Sequence, residues 1–186
     1  MAKIIIGITG LLSSGKGTAA EYIVEKYNGK SFRFSTMLRD VLQRLYLEQS
    51  RDNLSHISTV LRQQFGQDLL AKVLAADAAQ ALDPIIVVEG IRRQEDIVHL
   101  QSLPGFTLIA IEADESVRFE RLKQRGENSD DGSKTWEQFK RDHELETEVT
   151  IPGVMAQADV KINNNGNVDD LHRQIDTIIN QLQHGS

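Results

Sequence analysis

Apolar residues along the chain fall into two kinds of run. Short, mostly unbroken stretches occur at Ile4-Ile5-Ile6-Gly7-Ile8, at Ile85-Ile86-Val87-Val88 and over residues 106–111, with brief alternating strand segments at Phe32-Arg33-Phe34 and Val160-Lys161-Ile162. Continuous apolar runs of this length predict strands covered on both faces, as in a parallel sheet. Between them, apolar positions recur at helical spacing. After residue 18, Ala20, Ile23, Val24 and Tyr27 share a face, and Asn28-Gly29 stops the helix. Met37, Leu38, Val41, Leu42, Leu45 and Tyr46 form the next stripe, which Ser35 or Thr36 can cap. Helical patterns also cover about 52–65 and 67–82, split by Gly66 and ended by Asp83-Pro84, and then about 94–102, 117–125, 135–149 and 168–182. Residues 126–134 are polar and glycine-bearing and read as a loop. Strands separated by helices predict an α/β fold with a five-stranded, mainly parallel sheet flanked by helices.

The length, 186 residues, suits one domain spanning 1–186. With 40% apolar and 26% charged residues the chain is neither a disordered tail nor a fibre. It has no cysteine, which excludes disulfides, thiolate metal sites and cysteine nucleophiles. A net charge of −6 argues against general nucleic-acid binding, since that needs a basic face. The apolar run at the start is too short to span a bilayer, so the expectation is a cytoplasmic protein without a membrane partner. The oligomeric state stays open.

Candidate chemistry sits between the first strand and the first helix, in Gly10-Leu11-Leu12-Ser13-Ser14-Gly15-Lys16-Gly17-Thr18-Ala19. Glycines at both ends of such a loop let successive backbone N–H groups curl around an anion, and the helix N-terminus adds partial positive charge. Lys16 then reaches the outer phosphates. The spacing is that of a P-loop, Gly-x4-Gly-Lys-Ser/Thr, with one departure: Gly17 follows the lysine and the hydroxyl arrives at Thr18. The bland alternative is a glycine-rich turn with an incidental lysine. The strand before and the helix after favour phosphate binding.

Four segments carry a family resemblance. Gly15-Lys16-Gly17-Thr18 resembles the Gly-Lys-Gly-Thr ending of adenylate kinase P-loops. Ser35-Thr36-Met37-Leu38-Arg39 resembles a shortened form of that family's Ser-Thr-Gly-Asp-Met-Leu-Arg, and Glu89-Gly90-Ile91-Arg92 is similar to its Asp-Gly-Phe-Pro-Arg. Residues 115–125 resemble its Glu-Val-x-x-x-Arg-Leu-x-x-Arg segment before the lid. Over positions 4–142 the chain thus resembles nucleoside monophosphate kinases, nearest the archaeal adenylate-kinase-related proteins that border the dephospho-CoA kinases.

The resemblance implies a P-loop NTPase fold with a helical acceptor-binding insert at about 36–82 and a short lid at about 126–148. It implies ATP as donor, magnesium, and phosphoryl transfer to a nucleoside monophosphate. Such transfer needs positioning and charge cancellation more than covalent help, and the arginine fork grips phosphate oxygens in pairs. On this footing Lys16, Arg92, Arg121 and Arg125 are the candidate catalytic residues, with Arg141 contributing from the lid. Gly10, Ser13, Ser14, Gly15, Lys16, Gly17, Thr18, Ala19, Arg121 and Asn164 would bind the donor. Ser35, Arg39, Glu89, Arg92 and Arg93 would face the acceptor, Arg92 and Arg93 being interchangeable at this level. Thr18 is the candidate hydroxyl ligand for magnesium, and Glu89 could orient its waters. The alternatives are ordinary: solvated arginines, a Glu89 salt bridge to Arg92 or Lys16, and a plain turn at Asn163-Asn164-Asn165-Gly166. Arg118 falls outside the family spacing and reads as solvated.

A phosphate acceptor needs no base, whereas a hydroxyl acceptor needs a carboxylate to take its proton. After the second strand the chain reads Phe34-Ser35-Thr36, with no carboxylate before Asp40. This favours a nucleoside monophosphate and keeps a small-molecule hydroxyl, as in dephospho-CoA, as the alternative with Asp40 as base. A nucleotide-binding regulatory or assembly protein with weak ATPase activity is a third reading. The histidines lack metal-ligand spacing, Trp136 with Phe139 anchors the lid helix, and Glu144, Glu146 and Glu148 read as a solvated face.

Overall fold

In a computed structural model the fold is described for residues 3–125, 134–142 and 149–184, apart from the side chains of Arg51, Arg125 and Asp142. Five strands, β1 (Ile4–Thr9), β2 (Lys30–Arg33), β3 (Ile85–Glu89), β4 (Phe106–Glu112) and β5 (Val160–Asn163), form one sheet in the order β2-β3-β1-β4-β5. Every pairing is parallel, with Ile6 of β1 opposite Val87 on one side and Thr107 on the other. The helices are α1 (Lys16–Tyr27), α2 (Phe34–Arg44), α3 (Arg51–Phe65), α4 (Leu69–Gln80), α5 (Glu115–Arg125), α6 (Trp136–Asp142), α7 (Ile151–Met155) and α8 (Val168–His184).

Successive strand residues point to opposite faces, and this divides the core in two. Ile4, Ile6 and Ile8 of β1, with Ile85, Val87, Ile109 and Ile111, pack against Ile23 of α1 and Ile175, Ile178 and Ile179 of α8. Ile5, Ile86, Val88 and Leu108 pack on the other face against Leu38 of α2 and Leu70, Leu74 and Ala78 of α4. One fully buried isoleucine contributes about 1.5–3 kcal/mol, so Ile23 alone offsets the roughly 1 kcal/mol that Gly17 costs in the first turn of α1. Asp176 of α8 accepts from Tyr22, Lys26 and Tyr27 of α1, fixing the two helices to each other.

The strand order turns around β1, with β3 and β2 to one side and β4 and β5 to the other. Loops leaving the carboxyl ends of β1 and its neighbours therefore border one crevice, the place where open α/β sheets hold ligands.

Some local expectations change. Helix α2 begins at Phe34, one residue before the expected caps, and neither Ser35 nor Thr36 caps it, because Phe34 itself is buried in the core. The helix ends at Arg44, so Leu45 and Tyr46 leave the expected stripe and lie 54% and 89% exposed, Tyr46 with φ +58°. The helix expected over 94–102 is a single 3-10 turn, Gln94–Asp96, followed by turns. The Asp96 carboxylate takes the N–H groups of Arg92 and Arg93 and closes the chain there. Of the helix expected over 135–149, α6 covers Trp136–Asp142. Residues 126–133 of the expected lid, and residues 143–148 with Glu144, Glu146 and Glu148, lie outside the described residues.

Candidate nucleotide site

Strand β1 delivers the chain at its carboxyl end into a loop built from unusual dihedrals. Gly10 has φ +150° and Gly15 +103°, and Ser13 sits in the left-handed region at +59°. A Cβ on Gly10 would fall on the Ile111 carbonyl, and one on Gly15 on the Asn164 amide. These two glycines are required by close approach and by backbone conformation together.

The loop carbonyls are held by side chains and by one turn, in which Ser14 N–H donates to the Leu11 carbonyl at 3.2 Å. Lys16 Nζ donates to the carbonyls of Gly10 at 2.6 Å and Leu11 at 2.8 Å. Arg118 Nη1 donates to Leu12 at 3.2 Å, and Asn164 Nδ2 to Ser14 at 2.8 Å. A trans peptide sets its N–H opposite its carbonyl, so each carbonyl held by a side chain turns the next N–H away from that side chain. Successive N–H groups of that kind make an anion-binding concavity. The hydroxyls of Ser13 and Ser14 are buried without a hydrogen-bond partner, a costly state that an oxyanion would relieve. Donor phosphates fit this loop.

Thr18 is exposed in the first turn of α1. A magnesium ion bound chiefly through donor phosphates needs only one or two protein oxygens, and the Thr18 hydroxyl suits that. Ala19 offers no side-chain contact there: its methyl is buried in the core and its N–H donates to the Gly15 carbonyl. At Gly17 a Cβ would meet nothing within 4 Å.

Glu89 ends β3 and is 7% exposed. Its Oε1 accepts from Ser31 Oγ at 2.6 Å and Arg33 Nε at 2.8 Å. The described ion pair is thus with Arg33 of the neighbouring strand, not with Arg92 or Lys16 as the sequence suggested. Pairing of β2 and β3 sets Arg33 directly opposite Glu89, which explains the choice. Glu89, Ser31, Arg33 and Thr36 border a cavity of about 300 Å³ beside α1.

Beyond Glu89, Gly90 takes φ +83° and the chain turns to Arg92, which is exposed, and Arg93, which is half-buried. Asp96, 3% exposed, fixes both backbone amides and also receives Arg62 Nη2 of α3 at 3.1 Å. Arg39 and Ser35 are exposed on α2, with Arg39 3.4 Å from Gln49 Oε1. The carboxylate nearest in sequence to the end of β2, Asp40, is exposed on the same helix.

Arg121 of α5 donates to the carbonyls of Asn164 and Gly166, at 2.8 and 3.0 Å, so it frames the loop after β5. Burial pushes its pKa below the ordinary arginine value, though the guanidinium stays charged. Asn164 is 4% exposed with its amide on the phosphate loop; its run is more than a plain turn. Arg125 ends α5, and its side chain lies outside the described residues. Arg141 is exposed on α6.

Two residues were missed or misread. Asp96 gave no local signal, because its partner Arg62 is 34 residues away. Arg118 is 4% exposed rather than solvated; Leu122, one turn further on, is fully buried and marks the same helix face as inward.

Strand order, phosphate loop and flanking helices together define a P-loop kinase-like α/β protein. The profile of a family described as an AAA domain matches residues 9–140. A UPF0200 protein of Methanocaldococcus jannaschii is 31% identical over 96% of this chain and 90% of its own length. One from Thermococcus gammatolerans is 28% identical over 97% and 96%. The chain belongs to the family described as an AAA domain and to the UPF0200 family. Its fold is similar to that of a shikimate kinase from Bacteroides thetaiotaomicron, with TM-score 0.64, 12% identity and coverage of 95% of this chain and 98% of that one. A gluconokinase from Sinorhizobium meliloti gives TM-score 0.59 at 14% identity, covering 98% and 97%. The P-loop reading holds at this level, while the finer adenylate kinase likeness has no counterpart among these matches. Among the described residues no helix is long and apolar enough to cross a membrane.

Proposed function

We propose that the protein transfers the terminal phosphoryl group of ATP to a small acceptor, with a nucleoside monophosphate as the leading acceptor class. The observation that carries this reading is the phosphate loop, whose carbonyls are held by Arg118 and Asn164 and whose buried, unpartnered Ser13 and Ser14 hydroxyls suit a polyphosphate. Lys16, now on the Gly10 and Leu11 carbonyls, has a flexible four-carbon stem and exchanges those two acceptors for phosphate oxygens when the donor arrives. Magnesium would be held by the Thr18 hydroxyl together with the donor phosphates and would supply charge neutralisation.

On the acceptor side, Arg92 and Arg93 follow β3 at the carboxyl edge of the sheet, and Asp96 fixes their backbone. Arginine there grips an acceptor phosphate bidentately without losing its proton. Ser35 and Arg39 lie on α2, the first helix of the insert, and complete the acceptor set in this reading. Arg121, Arg125 and Arg141 serve the donor side. Glu89, which holds Arg33, would serve to orient water near a bound magnesium.

A second reading, transfer to a small-molecule hydroxyl, draws support from the names of the fold neighbours, a shikimate kinase and a gluconokinase. It requires a carboxylate base, for which Asp40 and Glu89 are the candidates. Release of ADP from magnesium-ATP is measured against a panel of ribo- and deoxynucleoside monophosphates, dephospho-CoA, shikimate, gluconate and no acceptor, with Lys16→Ala as blank. Turnover with one monophosphate, little changed by Asp40→Asn, supports the leading reading. Activity confined to a hydroxyl compound moves the assignment to the second. Donor binding with no acceptor effect rejects both in favour of a regulatory or assembly role.

A further inference from the structure

Arg118 is the least expected buried charge in the molecule. It starts from the second turn's edge of α5, with Nε on the Ala113 carbonyl at 3.1 Å and Nη1 on the Leu12 carbonyl at 3.2 Å. Its guanidinium carbon lies 5.4 Å from the centroid of the Phe139 ring, a cation–π distance. Phe139 is fully buried and packs with Phe119 and Trp136, so the ring is fixed by α5 and α6 together. One side chain therefore touches the phosphate loop, the β4–α5 connection and α6.

Leu12 precedes Ser13, the one residue of the phosphate loop other than glycine with positive φ. A non-glycine residue held there costs about 1–3 kcal/mol and persists only where its surroundings impose it. The bond from Arg118 is the described interaction that fixes the Leu12–Ser13 peptide plane, and it turns the Ser13 N–H away from Arg118.

We propose that Arg118 is a positioning residue for the phosphate loop, holding the Leu12–Ser13 peptide in its anion-binding orientation and relaying to it the position of α6 through Phe139. The inference deepens the reading of the loop as a phosphate site and rests on it for the ligand, but not for the loop geometry. A lysine at 118 keeps the charge yet cannot span two carbonyls with a flat fork over an aromatic ring. Phe139→Leu keeps an apolar side chain but removes the ring that meets Arg118, Phe119 and Trp136.

The test uses the full chain, titrated with magnesium-ATP and with inorganic tripolyphosphate, and followed by calorimetry and by emission of Trp136, the single tryptophan. Arg118→Lys is expected to weaken both probes about tenfold, the effect of some 1.4 kcal/mol, and Phe139→Leu a few-fold. The melting temperature should fall by no more than about 4 °C, the scale of a 1 kcal/mol change in a protein of this size. In the ligand-free protein, amide exchange over residues 11–15 should accelerate in Arg118→Lys without a matching change in the β1 amides. Unchanged affinity for both probes overturns the proposal, as does uniform acceleration of exchange across loop and strand. If the wild type binds neither probe, the phosphate reading fails, and the exchange data alone decide the role of Arg118: unaltered exchange at 11–15 overturns it.

Discussion

Arg62 and Asp96 form an ion pair at 3.1 Å, with side chains only 10% and 4% exposed. Arg62 also donates to the Gln67 carbonyl, and Asp96 holds the amides of Arg92 and Arg93. Helix α3 is thereby joined to the turn that presents the two arginines. Removing one partner of a buried pair leaves the other charge uncompensated, a loss of about 3–5 kcal/mol. Asp96→Ala should lose stability on that scale in urea titration. Arg62→Met should lose clearly less, because Asp96 keeps its two backbone donors. Equal losses would show that the amide contacts contribute nothing.

The glycines of the phosphate loop should behave unequally. Gly10→Ala and Gly15→Ala drive a methyl into the Ile111 carbonyl and the Asn164 amide, so both should melt many degrees lower and lose nucleotide binding. Gly17→Ala meets open space and gains helix propensity worth up to about 1 kcal/mol. Its melting temperature should rise by up to about 4 °C in calorimetry.

Lys16→Ala removes the charge that meets the outer phosphates. It should abolish detectable magnesium-ATP binding in calorimetry while leaving the melting temperature within about 4 °C, since its bonds to two loop carbonyls are each worth about 1 kcal/mol or less net.

Acid should weaken the joint between α4 and the turn after β3. Asp68 accepts from His99 Nε2 at 2.8 Å and pairs with Lys72 at 3.0 Å. These contacts, His99 first, hold its pKa down at about 2 against an ordinary 3.8. A carboxylate with a depressed folded-state pKa contributes stability that is complete above the unfolded value and is lost as pH falls through the folded one. The melting-temperature difference between wild type and Asp68→Asn should therefore be constant above about pH 5 and shrink between about pH 4 and 2. A difference that persists at pH 2 would remove Asp68 from that account.

The sheet was legible in the sequence because β1, β3 and β4 are buried on both faces and so carry unbroken apolar runs. The phosphate loop was legible because its glycines answer to local geometry. What escaped notice depends on contacts between distant residues. Leu45 and Tyr46 fit a helical stripe, yet the helix ends at Arg44, for a reason outside that stripe. Whether an arginine at 118, 121 or 125 turns inward depends on what faces α5, and helical spacing alone cannot tell. Glu89 was read against Arg92 just after its strand and Lys16 of the phosphate loop, whereas strand pairing gave it Arg33, 56 positions away.

Asn164 reaches Ser14 across 150 residues of chain. Contacts of such separation close late, because the loop between them must be ordered first. During synthesis the phosphate loop leaves the ribosome early but lacks this brace until β5 has been made and has paired with β4. A nascent or truncated chain ending before residue 164 thus carries the whole phosphate-loop motif in its sequence but lacks the Asn164 brace on Ser14, one of the contacts that hold the loop.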